Sequence, residues 1–123
     1  MNAIMKDFRN LEVWQVSHGL AMQIYEITSK FPREEQFSLT SQTRRAAVSI
    51  PANIAEGCGR GTNADFSRFL QIAAGSASEL EYHLLLSREL SFLPAPDYEL
   101  AVGRAVRIKK MLSALIRKIR ADR

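Results

Sequence analysis

The sequence predicts an all-α protein, an antiparallel up-down-up-down bundle of four helices. Apolar residues recur at intervals of three and four along four long segments, as they do on the buried side of an amphipathic helix, and none shows the alternation of a β-strand. The breaks between the segments are short and hold three of the four prolines. Short connections make consecutive helices antiparallel neighbours. With 123 residues, 46% of them hydrophobic, the chain can bury one core, so we expect a single domain over residues 1–123.

The first two helices are predicted over about residues 11–30 and 38–57. Pro32 ends the first one, because the residue before a proline is pushed out of the α region. Ser38 is a suitable N-cap for the second helix, and three closely spaced glycines at its end can adopt positive φ angles. Pro51 falls inside the second helix and removes one backbone hydrogen bond. We expect a kink there and no chain reversal, since the apolar periodicity continues in phase.

The last two helices are predicted over about residues 63–91 and 97–120. Thr62 begins a capping-box pattern with Asp65 in the acidic position, and Asp97 is a suitable N-cap for the fourth helix. Both helices carry a heptad seam, which is typical of helices that pack at a shallow angle of about 20°. The seams consist of Phe66, Leu70, Ala73, Ala77, Leu80 and Leu84 in the third helix and of Ala101, Ala105, Ile108, Leu112, Leu115 and Ile119 in the fourth.

The second helix has two faces that lack charge. The predicted core face consists of Leu39, Thr43, Ala46, Ala47, Ile50 and Ile54. The opposite face should be charged if it meets water, but it carries Ser41, Val48, Ala52 and Ala55. A second small and apolar face indicates a second packing partner, so we infer a subunit interface; the alternative is an alanine-rich face exposed to water. In the third helix, Gly75 weakens an isolated helix by roughly 1 kcal/mol, which predicts that something packs against it.

A polar stripe lies between the two faces of the second helix and is made of Gln42, Arg45, Ser49, Asn53 and Glu56. The third helix has a related stripe that contains Ser76, Glu79 and His83. Because Glu79 and His83 lie one turn apart among apolar residues, they are candidate partners of Arg45 or Asn53. We interpret this set as a partly buried polar network at the subunit interface, where it would determine the geometry of assembly. The alternative is a solvated flank.

Positive charge is concentrated in the fourth helix. Up to Gly103 the chain holds nine Lys/Arg and twelve Asp/Glu, a net charge of −3, whereas from Arg104 onward it holds eight basic residues and one acidic residue, a net charge of +7. This asymmetry indicates a polyanionic partner whose phosphates the cations would neutralise. The alternative is a solvated basic face, and without interleaved aromatic residues we expect no base-specific reading. The candidate nucleic-acid-binding residues are Arg104, Arg107, Lys110, Arg117, Lys118 and Arg120.

Catalytic chemistry is not apparent, and we expect the protein not to be an enzyme. Cys58, the one cysteine, lies among glycines that lack the preceding strand and the Lys-Ser/Thr ending of a phosphate loop, and no conspicuous base is near it. Two histidines on different helices are a poor basis for a metal site, so we expect no metal, cofactor or small-molecule substrate. We also expect a cytoplasmic protein with neither a membrane span nor an export signal.

Three motifs follow one another along the chain. They are Phe8-x-x-Leu11-x-Val13-Trp14, Leu39-x-x-Gln42-x-x-Arg45-Ala46-Ala47-x-Ser49-Ile50-x-x-Asn53-Ile54-Ala55-Glu56-Gly57 and Phe69-Leu70-x-Ile72-Ala73-x-Gly75-Ser76-x-x-Glu79-Leu80-Glu81. The two long motifs are similar to the signature of the four-helix proteins encoded within bacterial 23S rRNA intervening sequences, and the first motif, at the opening of the first helix, resembles that family too. One departure is Ala74, where relatives often have a basic residue.

The resemblance implies a four-helix protomer that assembles into a ring-like homopentamer. It also implies kinship with accessory proteins of diversity-generating retroelements, which work with a reverse transcriptase and nucleic acid. It implies no particular activity, because the intervening-sequence branch largely lacks an assigned biochemical role. Our hypothesis is a non-enzymatic homo-oligomer that binds structured RNA through phosphate contacts. The alternative is a protein-interaction scaffold, or an accessory ring for a partner such as a reverse transcriptase, without direct binding of nucleic acid.

Overall fold

The computed structural model describes residues 7–122 as four α-helices with short connections. The helices are α1 (Glu12–Thr28), α2 (Leu39–Cys58), α3 (Asn63–Glu89) and α4 (Ala95–Ala121). Within this range no residue lies in a β-strand, so the predicted all-α class with four helices is confirmed. Residues 1–6 and 123, which are part of the predicted domain, lie outside the described residues. Single turns of 3-10 helix precede α1 (Phe8–Asn10) and α2 (Arg33–Glu35).

The predicted N-caps have different outcomes. Ser38 occupies the N-cap position of α2, but its side chain makes no capping hydrogen bond and donates to the Glu35 carboxylate at 2.8 Å. The Thr62 hydroxyl accepts a hydrogen bond from the Asp65 amide at 3.2 Å, as the capping-box pattern predicts. The fourth helix begins at Ala95, two residues before the predicted start, so Asp97 lies in its first turn and is not the N-cap. The reason is that a proline in the first turn, here Pro96, loses no helical hydrogen bond and has a suitable φ angle.

Helix α2 runs through Pro51 without interruption, in agreement with the predicted continuation of the helix. The glycines at its end differ in their roles. Gly57 is buried inside the helix, Gly59 is the C-cap with an ordinary φ of −85°, and only Gly61 has a positive φ among the glycines from residue 7 to 122. A position that needs positive φ favours glycine, so Gly61 makes the turn from α2 to α3.

The core lies between all four helices. Helix α2 packs against α1 and α3, and α4 packs against α3 and α1. The predicted core face of α2 and both heptad seams are buried, except that Leu115 is only partly buried. Each buried leucine, isoleucine or phenylalanine stabilises the fold by roughly 1.5–3 kcal/mol. The largest fully buried apolar side chains are Phe66, Leu20, Ile24, Ile50, Ile54, Leu70, Leu80, Leu84, Ile108 and Leu112.

Buried hydroxyls within this core are satisfied by their own helices. Ser17 donates to the Val13 carbonyl at 2.7 Å, and Thr43 donates to the Leu39 carbonyl at 2.7 Å. Ser87 makes the same bond to the carbonyl four residues before it. A buried hydroxyl without a partner would cost about 1–3 kcal/mol, so these local bonds allow small polar residues at core positions.

Gly57 allows a close approach between α2 and the start of α3. A Cβ atom at Gly57 would lie 2.9 Å from Phe66 Cδ1 and 2.9 Å from Phe69 Cβ. We expect Gly57→Ala to lower the free energy of unfolding, because overpacking costs about 1–3 kcal/mol and exceeds the gain in helix propensity. Gly103→Ala is the control, since no atom lies within 4 Å of its Cβ position. Equal urea-denaturation midpoints for the two variants would contradict this packing.

Cys58, at the C-terminal end of α2, is a buried thiol. It is 4% exposed. Burial, and secondarily the negative charge of Asp7, raises the pKa of the Cys58 thiol from 9.0 to about 11. The protonated thiol therefore predominates at neutral pH, which disfavours a nucleophilic role.

The raised pKa of Cys58 predicts slow alkylation of the folded protein. At pH 8 we expect iodoacetamide to modify the native thiol far more slowly than the urea-unfolded thiol, because only the thiolate reacts. The pKa of Cys58 is higher in the folded protein than in the unfolded chain. The stability that the protonated thiol contributes is therefore fully present below pH 9 and is lost as the pH rises toward 11. Mass spectrometry of the labelled protein measures the rates. Equal native and unfolded rates at pH 8 would show that the thiol is accessible and ionised.

Candidate nucleic-acid interface

Helix α4 positions its cations on different sides. Arg107 forms an ion pair with Glu12 of α1 at 3.4 Å, and Arg104 donates to the side-chain oxygen of Gln23, also on α1, at 2.8 Å. These two guanidinium groups therefore lie along the junction of α4 with α1. Arg107 lies three residues before Lys110, which is the spacing of neighbours on a helix surface.

Among residues 7–122, the remaining α4 cations form no hydrogen bond or ion pair with α1. Lys110 and Arg117 are exposed and line a shallow depression of about 390 Å³ with Lys109, Val106 and Ser113. Lys109 was not among the residues predicted from the sequence, although it is adjacent to Lys110. Its position on the helix places Lys109 toward α3. There its ammonium group contacts the Glu81 carboxylate at 2.8 Å.

The end of α4 adds two further exposed cations, Lys118 and Arg120. Between residues 7 and 122, neither forms an ion pair, and the same is true of Lys110 and Arg117. Among residues 7–122, no carboxylate neutralises these four positive charges. Such charges can neutralise phosphates without first breaking a contact within the protein.

The polar stripes of α2 and α3 meet at their centres. The hydroxyls of Ser49 and Ser76 lie 2.8 Å apart, and the Asn53 amide donates to the Ser49 carbonyl at 2.7 Å and to its hydroxyl at 3.0 Å. All three side chains are partly buried. The structure therefore joins three of the predicted stripe residues in one hydrogen-bonded group across the helix pair.

The other stripe residues do not join this group. His83 Nε2 lies 3.6 Å from the Glu79 carboxylate, so these residues contact each other and not Arg45 or Asn53 as expected, because they are one turn apart on the same helix. Gln42 and Arg45 are exposed. Glu56 is also exposed, and its carboxylate lies 3.9 Å from Arg60.

The outer surface of α2 and α3 remains open in the protomer. Val48 is 41% exposed, Ala52 is exposed and Ala55 is partly buried. Gly75 is also exposed, and within residues 7–122 nothing lies within 4 Å of its Cβ position. Within the described residues, therefore, nothing packs against Gly75 in the way that the sequence predicts.

A more apolar depression of about 490 Å³ lies toward the start of α2 and the end of α3. It is lined by Glu35, Phe37, Ser38, Leu39, Gln42, Tyr82, His83, Leu86 and Leu90. In the part of the chain that the structure describes, His83 Nδ1 is the one buried side-chain nitrogen or oxygen atom without a hydrogen-bond partner. This atom is shielded from solvent, so it does not face the open depression.

The described residues contain neither a group of metal-ligating side chains nor a helix suited to span a membrane. From Asp7 to Asp122, no three His, Cys, Asp or Glu side chains are placed to hold a common metal ion. None of the helices described here combines the length and the apolar character that crossing a bilayer requires.

Comparisons with known proteins assign the chain to a family. The family model described as "23S rRNA-intervening sequence protein" matches residues 9–114. A solved structure with similar architecture is that of a protein of unknown function from the S23 ribosomal protein family of Bacteroides thetaiotaomicron VPI-5482. It is 30% identical, with a TM-score of 0.79 over 85% of this chain and 97% of that one. No curated protein matches. The match over residues 9–114 shows that the chain belongs to the 23S rRNA-intervening sequence protein family.

Proposed function

We propose that this protein is a non-enzymatic homo-oligomer that binds structured RNA through phosphate contacts. The observation that carries the proposal is the cationic surface of α4, where Lys110, Arg117, Lys118 and Arg120 are exposed and, among residues 7–122, not paired with carboxylates. The family description, which refers to 23S rRNA, supports RNA as the polyanion. Such a protein would act in the cytoplasm.

The α4 surface favours contacts with phosphates over reading of base edges. Its cations are long, flexible and spread along the helix, and the residues that line its depression include no aromatic ring. Each lysine or arginine that neutralises a phosphate releases counterions, so affinity falls steeply with salt. Arg104 and Arg107 add charge at the edge of this surface. Because their contacts with α1 are exposed and weak, phosphates can compete for them.

For the architecture we propose that the four helices of each protomer run antiparallel, up-down-up-down, and that the protomers assemble into a ring-like homopentamer. Arg88 stacks over Tyr98 while Lys109 contacts Glu81, which supports an antiparallel α3–α4 pair. The uncharged outer face of α2 and the exposed Gly75 of α3 support a subunit contact, and the number five comes from the family resemblance. In a ring, the net charge of +7 from Arg104 onward is repeated in every subunit.

The depression at His83 favours a second candidate function, a scaffold that binds a protein partner such as a polymerase without contacting nucleic acid. Its lining contains Tyr82, Leu86 and Leu90 together with His83. A pull-down after nuclease treatment tests this function. Recovery of protein partners that contact this depression would favour the scaffold.

The RNA proposal predicts a change in salt dependence. We expect Lys110→Gln/Arg117→Gln to weaken binding of structured RNA and to reduce the slope of log affinity against log salt by about 1.4–1.8, because two phosphate contacts are lost. Filter binding over a salt series measures both quantities.

Arg68→Gln/Arg88→Gln is the matched control, since it removes two exposed positive charges from α3. We expect its slope to equal that of the wild type. If both double variants bind RNA with the affinity and slope of the wild type, the α4 surface is not the RNA-binding surface.

The proposed subunit contact predicts the effect of a charge on the outer face of α2. We expect Ala52→Glu to dissociate the oligomer without loss of helical content, because the carboxylate would be buried without a partner. Light scattering gives the mass, and circular dichroism gives the helical content. Ala114→Glu, which places the same charge at an exposed position of α4, is expected to retain the wild-type mass. An unchanged mass for Ala52→Glu would locate the interface elsewhere.

A further inference from the structure

The end of the bundle where α1 stops and α2 begins has two depressions that share one arginine, Arg44. One has a volume of about 370 Å³ and is lined by Thr28, Ser29, Phe31, Pro32, Arg33, Gln36, Thr40 and Arg44. The other has a volume of about 390 Å³ and is lined by Tyr25, Gln36, Phe37, Thr40, Ser41, Arg44 and Arg45. Neither belongs to the α4 surface, although Ser41 of the second depression also lies on the outer face of α2.

Arg44 is held in a defined orientation at the C-terminal end of α1. Its Nε donates to the Thr28 hydroxyl at 2.8 Å, one terminal nitrogen donates to the Tyr25 carbonyl at 3.4 Å, and the guanidinium lies 4.7 Å from the centre of the Tyr25 ring. These contacts leave further N–H groups of Arg44 unused. A guanidinium that is already oriented loses little entropy when it binds a planar or tetrahedral anion.

Two further arginines lie in the same region. Arg33 and Arg45 line the depressions with Arg44, and within residues 7–122 none of the three forms an ion pair. The Glu35 carboxylate, although close in sequence, accepts hydrogen bonds from Ser38 and the Leu39 amide. It lines the depression at His83 and neither of these two. The hydroxyls of Thr40 and Ser41 and the amide of Gln36 provide further donors for an anion.

Two aromatic rings lie exposed beside these cations. Tyr25 is 48% exposed and has its ring under Arg44, while Phe37 is 90% exposed, so its ring makes little contact with the protein. The sequence does not indicate this pair, because Tyr25 belongs to α1 and Phe37 to the connection before α2. Unpaired nucleic-acid bases stack on exposed rings of this kind while arginines bind the backbone beside them.

We propose that the region around Arg44 binds an unpaired nucleotide of RNA, with its phosphate at Arg44 and Arg45 and its base stacked on Phe37. This rests on the proposed RNA-binding function and deepens it, because it names single-stranded segments as the part of the RNA that is held here. The α4 surface contributes phosphate contacts of any RNA, whereas the region around Arg44 distinguishes unpaired from paired nucleotides.

The experiment compares a short oligouridylate with an RNA duplex of the same length by fluorescence anisotropy, in the full-length protein. We expect Phe37→Ala to weaken oligouridylate binding about tenfold, since a base stack of this kind contributes ~1–3 kcal/mol. Duplex binding is expected to stay unchanged. Arg45→Gln should weaken oligouridylate binding and lower its salt slope by about 0.7. Both residues are exposed, so thermal unfolding should match the wild type.

Leu100→Ala is the matched control, because it shortens an exposed apolar side chain that lines none of these depressions. If Phe37→Ala and Arg45→Gln bind oligouridylate like the wild type while Lys110→Gln/Arg117→Gln is impaired, the inference fails and the α4 proposal stands. The converse result supports the region around Arg44 and overturns the α4 surface. A wild-type protein that binds neither probe overturns both. Competition by inorganic phosphate as effective as that by uridine monophosphate would show that no base is stacked.

Discussion

The structure depends on the close contact between α2 and α3. Gly57 has no side chain, so Phe66 and Phe69 of α3 reach within van der Waals distance of the α2 backbone. Farther along the pair, the Ser49 and Ser76 hydroxyls meet at 2.8 Å, which requires small residues on both helices. Because the two helices approach through small residues, the larger apolar side chains of each are directed into the common core. The positions of the outer faces of α2 and α3 follow from this contact.

The packing of the four helices also determines where the cations of α4 lie. The fourth helix completes the core with its seam, so its cations are distributed over the remaining surface. Some are drawn to carboxylates of neighbouring helices, as Arg107 is to Glu12 and Lys109 is to Glu81. Exposed ion pairs contribute at most about 1 kcal/mol to stability, so these contacts orient the side chains more than they stabilise the fold. The cations that point away from neighbours carry the proposed phosphate contacts.

Two kinds of surface therefore lie on one small protein. The outer face of α2 and α3 is short of charge and suits contact with another subunit, while α4 and the region around Arg44 are cationic and suit RNA. In the proposed ring, α4 takes no part in the subunit contact, so assembly would leave its cations accessible, whereas the region around Arg44 lies at the start of α2, beside the subunit contact. Because the ring repeats the same weak phosphate contacts in every subunit, its overall affinity for RNA would exceed that of a single protomer.

The fold class and the core can be predicted from the amino-acid sequence alone. The seams of α3 and α4 and the core face of α2 could be predicted because helical periodicity is a local property, and burial of an apolar stripe follows from it. The predicted start of α4 was wrong. Pro96 in the first turn and Asp97 as the N-cap are both compatible with a helix start, and the sequence does not show which of the two is used. The packing of the helices determines which cations are neutralised. It also places Tyr25, Phe37 and Arg44 close together. Those contacts join residues of different elements, and periodicity within one helix carries no information about its neighbours.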